Sequence, residues 1–128
     1  VIHGDLKPDN IIVETNGNMP NIKLIDFGFS LRVTGQPLHV VGFTYLYSPP
    51  YDKEMTYAWD AWSVGVILYA MCCNRLPFSA NSFQQQKDIV LEIPAHVSED
   101  VVVILSSLLE FNCFARGSVE QVFQQAEW

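Results

Sequence analysis

Basic residues are scarce in this chain of 128 residues, where seven Lys and Arg stand against fourteen Asp and Glu, a formal net charge of −7 at pH 7. Nucleic acids and anionic membranes are bound mainly through clusters of Lys and Arg. We therefore expect neither a nucleic acid nor a membrane as a partner. The length suits one domain, and 49% hydrophobic residues can fill one core.

Cysteine is also scarce, and the three cysteines, Cys72, Cys73 and Cys113, are an odd number that does not form a disulfide framework. The sequence has no Asn-x-Ser/Thr glycosylation acceptor. These features favour a reducing intracellular compartment, with the cytoplasm expected. The chain opens with Val1 and Ile2 instead of a starting Met, so we expect it to be a piece of a longer chain, and no signal-peptide pattern is visible.

Long apolar runs are absent. The most apolar segment, residues 60–73, is shorter than the roughly 20 residues that a membrane span needs. A helix that is apolar on all sides is typical of a protein core. We therefore predict a buried central helix at about residues 59–73.

Candidate catalytic and metal-binding residues are concentrated near the start of the chain, in the stretch HGDLKPDN at residues 3–10. Phosphoryl transfer needs a proton acceptor, oxygen ligands for Mg²⁺ and positive charge near the phosphate. Asp5, Asn10 and Lys7 could supply one each. The same residues could instead form an Asx-rich turn, in which Asp and Asn side chains bond to their own backbone. These residues alone leave both interpretations open.

Two β-branched runs follow at residues 11–13 and 22–25, with turn-forming residues between them at 15–18. This pattern predicts a β-hairpin whose second strand is buried. Asn10 would precede the first strand and Asp26 would follow the second. Their oxygens could then converge on one ion.

The order of these motifs resembles that of a eukaryotic protein kinase. HGDLKPDN stands where that family has its catalytic loop, and Asp26-Phe27-Gly28 stands as its metal-binding motif. The resemblance continues through DAWSVG at 60–65, LPF at 76–78 and Arg116. The Lys-Pro pair after Asp5 favours the serine/threonine branch. Residues 66–78 and 84–87 most resemble the calcium/calmodulin-dependent-kinase-like group, near testis-specific serine kinases.

The resemblance implies an α+β, mainly α fold: the C-terminal lobe of a kinase domain over residues 1–128, with a small catalytic-loop hairpin and the central helix. Residues 26–50 would form the activation segment, in agreement with the long loop that Gly and Pro predict for residues 29–50. The N-terminal lobe, which carries the glycine-rich loop and the lysine that pairs with ATP, is expected upstream. We expect these 128 residues alone to be inactive.

The resemblance also implies roles for single residues. Asp5 would deprotonate a serine or threonine hydroxyl of a protein substrate, and Lys7 would balance charge on the γ-phosphoryl group of ATP. Asn10 and Asp26 would hold Mg²⁺. Ile12 would form the floor under the adenine ring.

The same resemblance implies structural roles for four other residues. Ile67 and Met71 would pack beneath the adenine floor, and as members of an apolar stripe we expect them in the core. His3 would pack against the Phe of the metal-binding motif rather than act in catalysis. Asp60 would hold the backbone of the catalytic loop, and an ordinary helix N-cap role is compatible with that.

Four departures from the family pattern concern activity, of which the most serious is the absence of the glycine-rich loop and the ATP lysine from these residues. Gly4 stands where most of these kinases carry an arginine that receives an activation-loop phosphate, so regulation by that phosphate is not expected. Phe43 stands where a threonine usually contacts the catalytic aspartate, with Thr44 as a substitute. Pro50 replaces a glutamate, so Arg116 needs another acid or access to water.

Two functions therefore remain open: a working serine/threonine kinase, or a pseudokinase or kinase-derived binding module that serves as a scaffold without phosphotransfer.

The remaining sequence predicts three further helices. One is a short polar helix at 82–89. The second is capped by Ser98 and has apolar residues at 101, 104, 105 and 108. The third opens with a capping box at 118–121 and has apolar residues at 119, 122, 123 and 126.

Overall fold

A computed structural model describes residues 1–79 and 89–125 of the chain. The described part contains one two-stranded antiparallel sheet and three α-helices, so it is mainly helical with a small hairpin. No helix in these two ranges is both long enough and apolar enough to cross a membrane.

The hairpin lies where the sequence predicts it. Strand β1 is Ile11–Glu14 and strand β2 is Asn21–Leu24, with Ile11 opposite Leu24 and Glu14 opposite Asn21. The prediction that the second strand is buried is wrong, because every residue of β2 is exposed. A two-stranded sheet cannot cover its own faces, and none of the core clusters among the described residues includes a residue of β2.

The central helix α1 is Tyr57–Cys73, two residues longer at its start than predicted. It ends at Asn74, whose left-handed backbone (φ 55°) lets its N–H donate to the Ala70 carbonyl oxygen at 2.9 Å. The buried face carries two tryptophans, a valine and a tyrosine, at positions 59, 62, 66 and 69.

Met71 is 78% exposed, so the prediction that it lies in the core is wrong. Nine residues separate it from Trp62, which at about 100° per residue places it on the opposite side of the helix. Ile67 is half-buried. The helix is therefore buried along one face rather than on all sides.

Helix α2 is Glu99–Leu108 and follows the N-cap Ser98. Its residues Leu105 and Leu108 are fully buried, and the latter packs closely on α1. Gly65 allows this approach, since a Cβ there would lie 2.9 Å from the Leu108 Cβ. The sequence therefore predicted this helix and its buried face.

Helix α3 is Val119–Gln125 and begins with the predicted capping box. The Ser118 hydroxyl accepts a hydrogen bond from the Gln121 N–H at 3.1 Å, and the Gln121 side chain accepts one from the Ser118 N–H at 3.2 Å. Val122 is buried, but Val119 and Phe123 are exposed, so the predicted apolar stripe is only partly a core face. The predicted helix at 82–89 lies almost entirely outside the described residues, as does position 126.

Residues 29–50 form a loop, as predicted. Regular structure within it is limited to one turn of 3-10 helix at Tyr45–Tyr47 and two isolated β-bridges, Ile2 with Leu31 and His39 with Glu54. A small cluster holds the loop against the body of the fold. In this cluster the loop residues Leu31, Leu38 and Val40 pack on three buried residues, Ile2, Met55 and Trp59.

Candidate active site

Asp60 fixes the backbone of the loop at residues 3–10. It lies in the first turn of α1, and its carboxylate accepts hydrogen bonds from the N–H of His3 at 2.7 Å and of Gly4 at 2.9 Å. The N-cap of this helix is Thr56, so the N-cap interpretation of Asp60 is wrong. The first turn of α1 therefore sets the position of the loop.

Both ring nitrogens of His3 form hydrogen bonds with backbone atoms. Nδ1 accepts from the Asp5 N–H at 3.1 Å, and Nε2 lies 2.9 Å from the Ile25 carbonyl oxygen, to which it can only donate. These partners assign the neutral tautomer with the proton on Nε2. The ring packs on Phe27 with centroids 4.8 Å apart, as predicted. Neither nitrogen is left for catalysis.

The carboxylate of Asp5, only 8% exposed, is the centre of a polar cluster. Its Oδ1 accepts a hydrogen bond from the Thr44 hydroxyl at 2.5 Å. Its Oδ2 accepts from Asn10 Nδ2 at 3.3 Å and lies 3.7 Å from Lys7 Nζ. Lys7 Nζ also donates to the Thr44 hydroxyl oxygen at 3.1 Å. Thr44 thus makes the contact that is absent at Phe43.

Asn10 and Asp26 lie at the same end of the hairpin. The Asn10 carbonyl oxygen accepts from the Ile25 N–H at 2.9 Å, next to Asp26 in the chain. The Asn10 side-chain nitrogen donates to the Asp5 carbonyl oxygen at 2.8 Å, a bond across five residues that differs from the bond of an Asx turn. Asp26 has a left-handed backbone (φ 57°) and an exposed carboxylate that accepts from the Gly28 N–H at 3.2 Å.

These two side chains suit Mg²⁺. Because Asn10 uses its nitrogen as a donor to Asp5, its amide oxygen remains the acceptor end. Mg²⁺ takes oxygen ligands and is usually held by one or two carboxylates together with substrate phosphates and water. In the described ranges no three His, Cys, Asp or Glu side chains converge as a metal site of their own. The pair therefore fits an ion that arrives with a phosphate ligand.

Gly4 leaves no space for the arginine of the family pattern. Its φ is +85°, and an added Cβ would lie 2.7 Å from the Met55 Cε and 2.8 Å from the Phe29 carbonyl oxygen. Met55 is buried in the cluster that holds the loop at residues 29–50. The space beside Gly4 is thus filled by Met55 and the Phe29 backbone. Nothing in the sequence indicated Met55, because the contact joins residues about fifty positions apart.

Arg116 finds another acid in Asp52. Their side chains are 0% and 2% exposed and form two hydrogen bonds, NH1 to Oδ2 at 2.8 Å and NH2 to Oδ1 at 3.0 Å. The guanidinium also donates to the carbonyl oxygens of Ala58 and Glu110, each at 2.9 Å, and lies 5.1 Å from the Trp62 ring. Of the two acids close after Pro50, Asp52 and Glu54, the sequence could not say which would serve.

Comparison with known proteins agrees with this arrangement. The family profile for the protein kinase domain matches residues 1–128. This chain belongs to the protein kinase family. The kinase motifs and the structure therefore describe one domain fragment, mainly helical with a small antiparallel hairpin.

The curated relatives of this kinase fragment are serine/threonine kinases. It is 37% identical to sperm motility kinase 3A of Mus musculus over 95% of the chain, which is 25% of that protein. It is 33% identical to the serine/threonine-protein kinase SIK2 of Gallus gallus over 100% of the chain and 17% of that protein. It is 34% identical to the serine/threonine-protein kinase pim-2 of Danio rerio over 97% of the chain and 40% of that protein. The chain thus spans well under half the length of each of these relatives.

Proposed function

We propose that a longer chain containing these residues transfers the γ-phosphoryl group of ATP to a serine or threonine of a protein substrate. Residues 1–128 are its C-terminal lobe, with the catalytic loop at 3–10 and the activation segment at 26–50. The observation that carries the proposal is the cluster around the Asp5 carboxylate, where Thr44 lies at 2.5 Å and Lys7 at 3.7 Å.

In this mechanism Asp5 orients the substrate hydroxyl and accepts its proton on the oxygen that faces Lys7. The ammonium group of Lys7 would balance charge on the transferred phosphoryl group. Asn10 and Asp26 would hold Mg²⁺, which would supply neutralisation of charge on the ATP phosphates. Thr44 keeps Asp5 and Lys7 in place, and positioning of this kind supplies much of the rate.

The N-terminal lobe of the same chain is the proposed partner of the hairpin. Large apolar side chains, Ile12, Val13, Ile22 and Leu24, are exposed on its two strands. An exposed apolar patch of this kind is typical of a surface that another domain covers. In the proposal Ile12 forms the floor of the adenine site, between the two lobes.

The test is phosphorylation of a generic basic protein by the longest natural chain that contains this segment, with ATP and Mg²⁺. Asp5→Asn should lower transfer by at least about a hundredfold, because it removes the proton acceptor. Asp9→Asn is the matched control: it makes the same change in the same loop, at an exposed residue outside the cluster. Its activity should equal that of the parent.

The competing function is a pseudokinase or binding scaffold, and Gly4 is the observation that favours it, because the cation at this position is lost. A folded natural chain that transfers no phosphate would support the scaffold. Transfer that survives Asp5→Asn would instead show that the catalytic role is assigned to the wrong residue. Thermal shift with ATP and Mg²⁺ separates a chain that binds nucleotide without transfer from one that does not bind it.

A further inference from the structure

A cavity of about 470 Å³ lies between residues 51–56 and residues 111–114, and its lining includes none of Asp5, Lys7, Asn10 and Asp26. Its apolar part includes Tyr51 and Phe111, whose ring centroids lie 5.6 Å apart. The Asp52 carboxylate in its lining is already paired with Arg116, so it does not call for a charged occupant. The part of the cavity formed by Tyr51 and Phe111 therefore suits an apolar side chain.

Such a side chain is exposed at the edge of the same cavity. Phe114 is 97% exposed, the most exposed of the large hydrophobic residues in the described part of the chain. Its backbone is fixed by Asn112, whose side-chain oxygen accepts from the Phe114 N–H at 3.0 Å and whose carbonyl oxygen accepts from the N–H of Ala115 and of Arg116. The buried Arg116 holds this turn in the fold. Phe114 is thus held outward by a defined turn.

The cavity rim carries one charge of each sign. Lys53 and Glu54 are adjacent and exposed, and both line the cavity. Neither side chain forms an ion pair with another described residue. A surface that carries both members of a complementary pair can match itself through a two-fold axis, where residue i meets residue j and residue j meets residue i.

We propose that this surface binds a second copy of the chain as a two-fold symmetric dimer. Phe114 of each copy enters the cavity of the other, and Lys53 of each copy faces Glu54 of the other. The surface supplies the apolar side chain, the cavity that receives it and both charges of the rim pair, so no other partner is needed to complete it. This proposal does not depend on phosphotransfer.

Sedimentation equilibrium of the longest natural chain measures the dimer directly. Phe114→Ala removes two contacts per dimer and should raise the dissociation constant on the order of a hundredfold, about tenfold for each contact. Phe123→Ala is the matched control, since it removes another exposed aromatic side chain, on α3, and should leave the constant unchanged.

Charge exchange tests the two-fold pairing and does not depend on stability. Lys53→Glu and Glu54→Lys should each weaken self-association, because like charges then meet across the axis. An equimolar mixture of the two variants should form a mixed dimer, because every rim pair is again of opposite sign. Formation of that mixed dimer supports the proposal.

Three results would overturn it: a natural chain that stays monomeric up to about 1 mM, a dimer that Phe114→Ala leaves intact, or two charge variants that associate no better together than alone.

Discussion

Removing the carboxylate of Asp52 should be among the most destabilising single changes in this chain. The Asp52 and Arg116 side chains are 2% and 0% exposed and share two hydrogen bonds. In Asp52→Ala the guanidinium keeps its bonds to the carbonyl oxygens of Ala58 and Glu110 but loses its negative partner. A buried charge that loses its partner typically costs about 3–5 kcal/mol.

Urea unfolding followed by tryptophan fluorescence measures this cost, since Trp62 lies 5.1 Å from the guanidinium. With a urea slope of about 2 kcal/mol per M, a loss of about 4 kcal/mol lowers the unfolding midpoint by about 2 M. The double variant Asp52→Leu/Arg116→Met should recover most of the loss, because apolar residues of similar volume replace both charges.

The chain offers a matched exposed pair for comparison. Lys23 and Glu14 also meet at 2.8 Å, but their side chains are 56% and 34% exposed. Glu14→Ala should therefore change the free energy of unfolding by less than about 1 kcal/mol. If Asp52→Ala cost no more than Glu14→Ala, the claim that burial makes Asp52 the essential partner of Arg116 would be refuted.

Three further changes have defined outcomes. Gly4→Ala should cost about 2–3 kcal/mol in urea unfolding, because a Cβ meets both backbone and side chain there; Gly17→Ala, with similar φ and open space, should cost only about 1 kcal/mol. Thr44→Val should lower kcat about ten- to a hundredfold in a chain that is still folded before the urea transition; Phe43→Thr in that background should restore nothing, and rescue by it would refute the role of Thr44. Burial raises the pKa of the Tyr69 phenol above its usual 10.0, so the contribution of Tyr69 to stability should be full below pH 10 and be lost as the pH rises beyond it; Tyr69→Phe should lack that loss when urea midpoints below and above pH 10 are compared, and an equal loss in both chains would contradict this.

The elements were predictable from the sequence because their signals are local. The β-branched runs around a turn predicted the hairpin, and the Ser118 to Gln121 spacing predicted the start of α3. Burial was less predictable. The exposure of β2 and of Met71 depends on which side of each element faces the core, and apolar composition alone does not contain that information.

In the candidate site, too, contacts between residues close in sequence were predictable and contacts between distant residues were not. Asp5, Lys7 and Asn10 are neighbours in sequence, so one loop brings them together. Asp60 reaches that loop from more than fifty residues away, and only the resemblance to a kinase located it. Met55 had no signal at all, because its contact at Gly4 depends on how residues 29–50 fold back over the loop.

Two of the departures from the family pattern are resolved by a shift along the chain rather than by a loss of chemistry. The hydroxyl that bonds to Asp5 comes from Thr44, one position after Phe43, and the carboxylate that pairs with Arg116 comes from Asp52, two positions after Pro50. These two contacts lie at Thr44 and Asp52, whereas the resemblance places them at positions 43 and 50. The segment between them is therefore one residue longer than the resemblance implies.

A loop with few backbone ladder bonds can absorb such an extra residue at small cost, whereas a buried arginine without a negative partner costs about 3–5 kcal/mol. What must be kept is the contact and not the position. The absence of the family's residues at positions 43 and 50 is therefore weak evidence for a scaffold, because Thr44 and Asp52 make the same contacts. Among the departures within the described residues, only Gly4 exchanges a charge for apolar packing, at Met55. The choice between enzyme and scaffold depends most on whether catalysis tolerates that exchange.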